Sequence, residues 1–221
     1  MTGSRPLKTR LTSARGRSAS SQRWLQRQLN DPFVHRARQE GWRARSVFKL
    51  EELDQRFGLL RRGARVIDLG AAPGSWTQYA VKRGCRVVAL DLQPIEPIAG
   101  AELNCGDFLD PVVQRELRDS LGGPADVVLS DMAAPATGRR SVDRLRAESL
   151  GECVLEFAGE ALAPGGVCVL KLIKGGEAAL VSRAQSSFAT TRIVRPKATR
   201  TESSEVYLIA RGLHESPVQP S

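Results

Sequence analysis

The stretch VIDLGAAPGSW, residues 66–76, joins three unlike kinds of sequence. Val66 to Leu69 is apolar except at Asp68, Gly70 to Gly74 is small and turn-forming, and Ser75 and Trp76 open a helical run. A strand that passes through a glycine turn into a helix is the first half of a βαβ unit. Gly70 and Gly74 permit backbone angles and close approaches that a side chain would block, so an adenosine-containing cofactor can lie against the turn. The stretch is neither G-x-G-x-x-G nor a phosphate-binding loop ending in Gly-Lys-Ser/Thr, which argues against NAD or ATP. A plain strand-to-helix turn would also need glycine, but it gives no reason for an acid at Asp68.

The alternation continues on both sides of this stretch. Strands are predicted over 64–69, 85–91, around AELNCGD, over 125–131 and over 167–173; helices are predicted over 75–83, 110–121, 142–162 and 177–188. Strands nearly continuous in apolar residues, with helices between them, predict a parallel sheet covered on both faces. TTRIVRP and SSEVYLIA are strand-like runs joined by about ten polar residues, too few for a crossover helix, so that pair is antiparallel. The fold class is therefore α/β: a doubly wound, mostly parallel seven-stranded sheet with helices on both faces and an antiparallel last strand. Before residue 64, Leu50, Leu53 and Phe57 form a helical stripe, with Lys49 bordering it and able to lie along the surface.

In open α/β sheets, ligands bind outside the carboxyl ends of the strands. Asp131 ends VVLSD, Lys171 lies near the end of VCVLKLI and Glu205 opens the reversed strand, so all three can gather at one edge. Lys171 has apolar neighbours on both sides, and an unpaired buried charge costs several kcal/mol; these acids are its expected partners. Asp91 and Asp107 follow the second and third strands, where carboxylates can meet ribose hydroxyls and an adenine amino group. As isolated acids they would be helix caps or loop charges; their recurrence after successive strands favours the cofactor reading.

The chain has 221 residues, which fits one domain plus extensions: a basic, disordered arm over 1–30, a catalytic domain over 31–211 and a flexible tail over 212–221. Its net charge of +9 is all N-terminal, because residues 1–49 carry 12 Lys/Arg against 2 Asp/Glu, leaving 21 against 22 for the rest. Such an arm suits a polyanionic partner. No apolar run approaches the roughly 20 residues that cross a bilayer, and the first residues lack the apolar region of a secretory signal; a soluble, cytoplasmic monomer is expected. Cys85, Cys105, Cys153 and Cys168 form no C-x-x-C pair and read as buried free thiols. With only His35 and His214 as histidines, no metal site is expected.

SVFKLEELDQRFGLL, VIDLGAAPGSWTQYAV, ALDLQPIEPIAGAELNCGDF, VLSDMAAP, ECVLEFAGEALAPGGVCVLKLIKGG and SSEVYLIA together resemble the FtsJ family of S-adenosylmethionine-dependent RNA 2′-O-methyltransferases, from about residue 31 to residue 211. The resemblance implies a Rossmann-like class I methyltransferase fold and a catalytic set of Lys49, Asp131, Lys171 and Glu205. It also implies cofactor contacts from Gly74, Trp76, Asp91, Asp107 and Asp131. The implied acceptor is a ribose 2′-OH of RNA, by similarity to the members that act on a uridine of 23S ribosomal RNA in the large subunit. A transfer RNA or messenger cap is an alternative acceptor. A ribosome-assembly factor with the fold but no activity is a further rival, against which the intact set of four polar residues speaks.

The hydroxyl is a poor nucleophile while protonated, so the site must orient it and supply a base or a cation for the developing alkoxide. Lys171 is assigned that activation and Asp131 its orientation, with proton removal and oxyanion stabilisation both open. Lys49 and Glu205 would hold ribose and lysine in line; an ion-pair network tying a helix to the sheet is their structural alternative. RNA phosphates are expected at Arg36, Arg38, Arg43 and Arg45 and at Arg195, Lys197 and Arg200. Trp42 can stack on a base, although an aromatic beside an apolar helix start is more often core.

Overall fold

The computed structural model describes residues 22, 26 and 28–214. Most of the basic arm expected over 1–30, and all of the tail beyond His214, lie outside the described residues. Helices α1 (Pro32–Gln39) and α2 (Val47–Phe57) precede β1 (Arg65–Leu69), α3 (Ser75–Lys82), β2 (Arg86–Asp91) and β3 (Ala101–Cys105). Then follow α4 (Pro111–Ser120), β4 (Ala125–Ser130), α5 (Arg140–Ala161), β5 (Leu162–Ile173), α6 (Ala178–Ser187), β6 (Phe188–Val194) and β7 (Glu205–Leu213).

The helices begin and end where local chemistry directs. Asp31 and Asp110 cap α1 and α4, accepting from the N–H groups of Phe33 (3.0 Å) and Val112 (2.8 Å), with Pro32 and Pro111 next, where no helical N–H is required. α2 stops at Gly58, whose φ of 59° is left-handed.

The seven strands lie in the order β3-β2-β1-β4-β5-β7-β6. Neighbours from β3 to β5 are parallel, and β7 is antiparallel to both β5 and β6. The last strand thus inserts between β5 and β6 rather than extending the sheet. β5 starts at Leu162, before the predicted 167, because the Ala-Pro-Gly-Gly segment bulges opposite β4 between Ala125 and Val127. β7 continues to Leu213, paired with Phe188, past the expected domain end at 211.

Strand parity sorts the core into two layers. Val66, Leu129, Val169 and Ile209 pack with Leu50, Leu53, Trp76 and Tyr79 of α2 and α3. Ile67, Val128, Leu170 and Leu208 pack with Phe157 of α5 and Leu180 of α6. Each fully buried leucine contributes about 2 kcal/mol by area, so both helical layers are held by burial. Among the thiols, Cys85 and Cys168 are buried as expected, but Cys105 is exposed and Cys153 half-buried; Cys105 ends β3, an edge strand paired on one side only. Among the described residues, no helix is long and apolar enough to cross a membrane, and no His, Cys, Asp and Glu group is placed to hold a metal.

Asp68 is fully buried beneath the glycine turn. Its Oδ2 accepts from Thr77 Oγ1 at 2.6 Å, while Oδ1 has no partner among the described residues. Burial pushes its carboxyl up to about 7; the Thr77 hydrogen bond opposes this, and the charges of Asp131 and Asp91 add to it. The native state therefore holds this proton more tightly than the unfolded chain, so stability falls as pH rises from about 4 to about 7 and is level above. Asp68→Asn should remove that fall, on the order of 3 kcal/mol between about pH 5 and about pH 8, as read from urea unfolding at both pH values. If wild type and variant respond to pH alike, Asp68 is not the titrating group.

Candidate active site

Alternation along three strands builds one polar cluster. Asp131 follows Leu129 by two residues, Lys171 follows Val169 by two, and Glu205 precedes Tyr207 by two, so all four face the α2 layer at the carboxyl edge. Register completes the placement: Lys171 pairs with Tyr207, and Ile173 with Glu205. Lys49 reaches this edge from α2. The residue expected to lie along the surface is buried, its side chain 10% exposed, because the α2 stripe carries it under the sheet edge.

Lys49 Nζ lies 2.7 Å from Glu205 Oε2 and donates to the Tyr207 hydroxyl at 3.2 Å. That hydroxyl donates to Asp131 Oδ1 at 2.6 Å. Lys171 Nζ stands 3.3 Å from the same Oδ1 and also donates to the Asp131 backbone carbonyl. All four residues expected to be catalytic are thus joined in one chain of contacts. The lysine that was a puzzle inside an apolar strand has its side chain 9% exposed and both its acceptors supplied by Asp131.

The link between the halves is Tyr207, which sequence reading took for part of an apolar strand. It is fully buried, and burial together with the Asp131 and Glu205 charges raises its phenol well above the ordinary value, so it remains a donor. The available signal was its spacing: two residues after Glu205 on a strand places it on the same face.

Beside the cluster a cavity of about 660 Å³ runs across the ends of β1, β2 and β4. Asp91, Asp107 and Asp131 line it, with Gly70 at its floor. Gly70 has φ +74°, and a Cβ there would stand 2.6 Å from Met132 Cγ, so glycine is required by conformation and by space. Asp91 accepts from Ala72 N–H and Gln93 N–H, both at 2.9 Å, and Asp107 Oδ1 accepts from Leu109 N–H at 2.9 Å. These turn contacts fix both carboxylates and leave lone pairs for hydroxyl or amino groups. Leu92 and Leu109, 68% and 56% exposed, line the same cavity. Leu92 follows Asp91 directly and Leu109 lies two residues after Asp107, an exposed apolar pair beside the acids that the sequence carried and reading by acids alone passed over.

Gly74 and Trp76 do not line this cavity. A Cβ at Gly74 would meet Ile98 Cδ1 at 2.7 Å and Arg43 Nη1 at 3.0 Å, so its open side is covered by the loop after β2. Trp76 is buried, donates to the Ser46 carbonyl at 2.8 Å and packs against the Tyr207 ring at 5.7 Å.

The sequence pattern of the family described as FtsJ-like methyltransferase matches residues 42–213. The Ribosomal RNA large subunit methyltransferase E of Gluconobacter oxydans (strain 621H) is 52% identical over 204 residues, covering 91% of this chain and 76% of its own. Its namesake from Granulibacter bethesdensis is 50% identical over 220 residues, 99% of this chain and 96% of its own. The chain belongs to the FtsJ-like methyltransferase family. A crystal structure described as a ribosomal RNA methyltransferase from Plasmodium falciparum shares the fold, with TM-score 0.70 at 24% identity over 78% of this chain and 98% of its own.

In this FtsJ-like methyltransferase, most of the basic side chains expected to meet RNA are held by the protein. Arg36 pairs with Glu40 (2.6 Å) and Glu51 (3.1 Å) and lies over the Phe48 ring. Arg43 donates to the carbonyls of Pro73 (3.0 Å), Glu96 (2.7 Å) and Pro97 (2.8 Å), fastening the loop after β2 to the glycine turn. Arg45 and Arg200 converge on Asp31 at 3.1 and 3.2 Å, and Arg195 donates to the carbonyls of Arg200 and Thr201. Of these seven residues, Arg38 and Lys197 are exposed with no side-chain ion pair or hydrogen bond among the described residues. Trp42 packs on Tyr79 at 6.1 Å and donates to Glu40, so it belongs to the scaffold.

Tyr207→Phe deletes the hydroxyl between Lys49 and Asp131 and keeps the ring. A hydrogen bond to a charged group contributes about 1.5–3 kcal/mol, so turnover should fall roughly tenfold or more while the ring still packs. Steady-state rates beside thermal unfolding check this, and unchanged turnover would remove Tyr207 from the site.

Proposed function

We propose that this chain transfers a methyl group from S-adenosylmethionine to the 2′-OH of a uridine ribose in large-subunit ribosomal RNA, in the cytoplasm, and that the unit from residue 31 to the end of β7 is its catalytic domain. The observation that carries the reading is Lys171, clamped by the carbonyl and carboxylate of Asp131 where the cluster meets the cavity. The methyltransferase relatives at about half identity supply the acceptor: their name specifies ribosomal RNA of the large subunit.

The cavity fits the cofactor by its donor set. Asp91 would take ribose hydroxyls, Asp107 an adenine amino group, and Leu92 and Leu109 the faces of the adenine ring. Asp131, at the inner end, would face the methionine part. Gly70 lets Met132 pack close against the turn, which sets the wall of the cavity there. When bound, the cofactor supplies an electrophilic methyl group on a sulfonium.

The chain's own groups do the rest. Lys171 acts as a cation: its ammonium, fixed by Asp131, presents a remaining N–H to the acceptor oxygen and stabilises the charge developing there. Tyr207 and Lys49 brace Asp131 from the other side, so the ammonium keeps its direction while the oxygen gains the methyl group and the hydroxyl proton passes to solvent water. Glu205, its side chain 29% exposed, can meet the ribose while it neutralises Lys49. A site fixed in advance in this way avoids reorganisation during the reaction.

Lys171→Ala should lower transfer of labelled methyl to ribosomal particles by about 100-fold or more while leaving cofactor binding by calorimetry unchanged. Asp91→Ala should show the reverse, weakened cofactor binding first. Near-normal turnover by Lys171→Ala with normal cofactor binding would overturn the assignment.

A further inference from the structure

A second cavity, of about 600 Å³, lies against the first between the N-terminal turns of α5 and the end of β5. Met132, Ala133 and Ala134, with Leu150 of α5, line both, so the two cavities share a wall. Asp131 lines the first and Lys171 the second, and these two side chains touch. Whatever occupies the second cavity therefore meets the occupant of the first across the Lys171–Asp131 pair.

The two cavities differ in charge. The first carries Asp91, Asp107 and Asp131 against Arg146. The second carries Lys171, Lys174, Arg140 and Arg144 against Asp143 and Glu202. Asp143 is turned to its own loop, accepting from Thr137 N–H and Oγ1 (both 2.6 Å) and Gly138 N–H (3.1 Å), contacts that hold its carboxyl below the usual range. Arg140, Arg144 and Lys174 have no side-chain ion pair or hydrogen bond among the described residues. On the other side of the cluster, a smaller opening of about 330 Å³ is lined by Arg45 and Arg200, both engaged with Asp31. Free cations beside a reactive pair suit an anion; committed ones do not.

The geometry points to Arg140, Arg144 and Lys174 as a phosphate clamp on the α5 side: with the acceptor nucleotide of single-stranded RNA in the second cavity beside Lys171, these three hold the phosphates that flank it. This rests on the methyl-transfer reading. It also moves the RNA from the α1 and β6–β7 arginines, where sequence placed it, to the α5 side of the cluster. Phosphate contacts fix register, and the chamber, with its apolar wall of Ala147 and Leu150, takes the base.

The test uses the full chain with ribosomal particles and labelled S-adenosylmethionine. Arg140→Ala combined with Arg144→Ala should raise KM for RNA at least about tenfold and flatten its salt dependence by roughly one to two units of log-log slope. Cofactor affinity by calorimetry should stay unchanged. Ala147→Phe, which fills the chamber, should abolish turnover with cofactor binding and unfolding temperature retained. The proposal is overturned if both variants act as wild type on RNA while Arg38→Ala and Lys197→Ala carry the loss, since RNA then approaches from the opposite side. If wild type itself methylates no RNA, the methyl-transfer reading fails instead. RNA retention on filters then still decides this site: loss of retention in the double variant upholds it, and undiminished retention overturns it.

Discussion

The Tyr207 hydroxyl, held between the ammonium of Lys49 and the carboxylate of Asp131, is the contact on which the site depends. Two lysines and two acids packed at a sheet edge, Lys49 buried and the others partly so, would carry a desolvation cost if any one lost its partner. The phenol lets α2, β4, β5 and β7 share that load, because it accepts from one side and donates to the other. It can do so only while protonated, and its burial ensures that. Orientation at the edge is in this sense a by-product of satisfying buried polar groups.

Parity links this contact to the fold. The residues that put Val169 and Ile209 under α2 also put Lys171 and Tyr207 there, so the apolar layer and the polar cluster are one pattern read two residues further along. The reversed strand is essential to it. A parallel β7 would present its amino end at the opposite edge, and Glu205 would be lost from the cluster. The charge division between the two cavities follows from the same edge, with strand-end acids over β2, β3 and β4 and basic residues where α5 begins and β5 ends.

The parallel sheet, the reversal of β7 and the gathering of Asp131, Lys171 and Glu205 were legible because they rest on hydrophobic period and connection length, both local properties of the chain; the place of β7 between β5 and β6 was not, because no local pattern specifies it. Tyr207 was not, since an aromatic in a strand reads as core until its hydroxyl is given partners from other elements. Arg43 escaped for a different reason: three backbone carbonyls hold it, and carbonyls have no sequence signature. A cluster of arginines therefore reads alike whether it faces phosphate or fastens a loop. The early start of β5 was hidden by Pro164 and two glycines, which suggest a turn and instead form a bulge.

The pairing of Lys49 with Glu205 joins residues 156 positions apart. Between them lies nearly all of the sheet, and β7 must slip between two strands already made before it. Chain order thus acts as a timer. A chain still being synthesised can assemble its first five strands, but it holds no complete reaction centre until its last strand has entered.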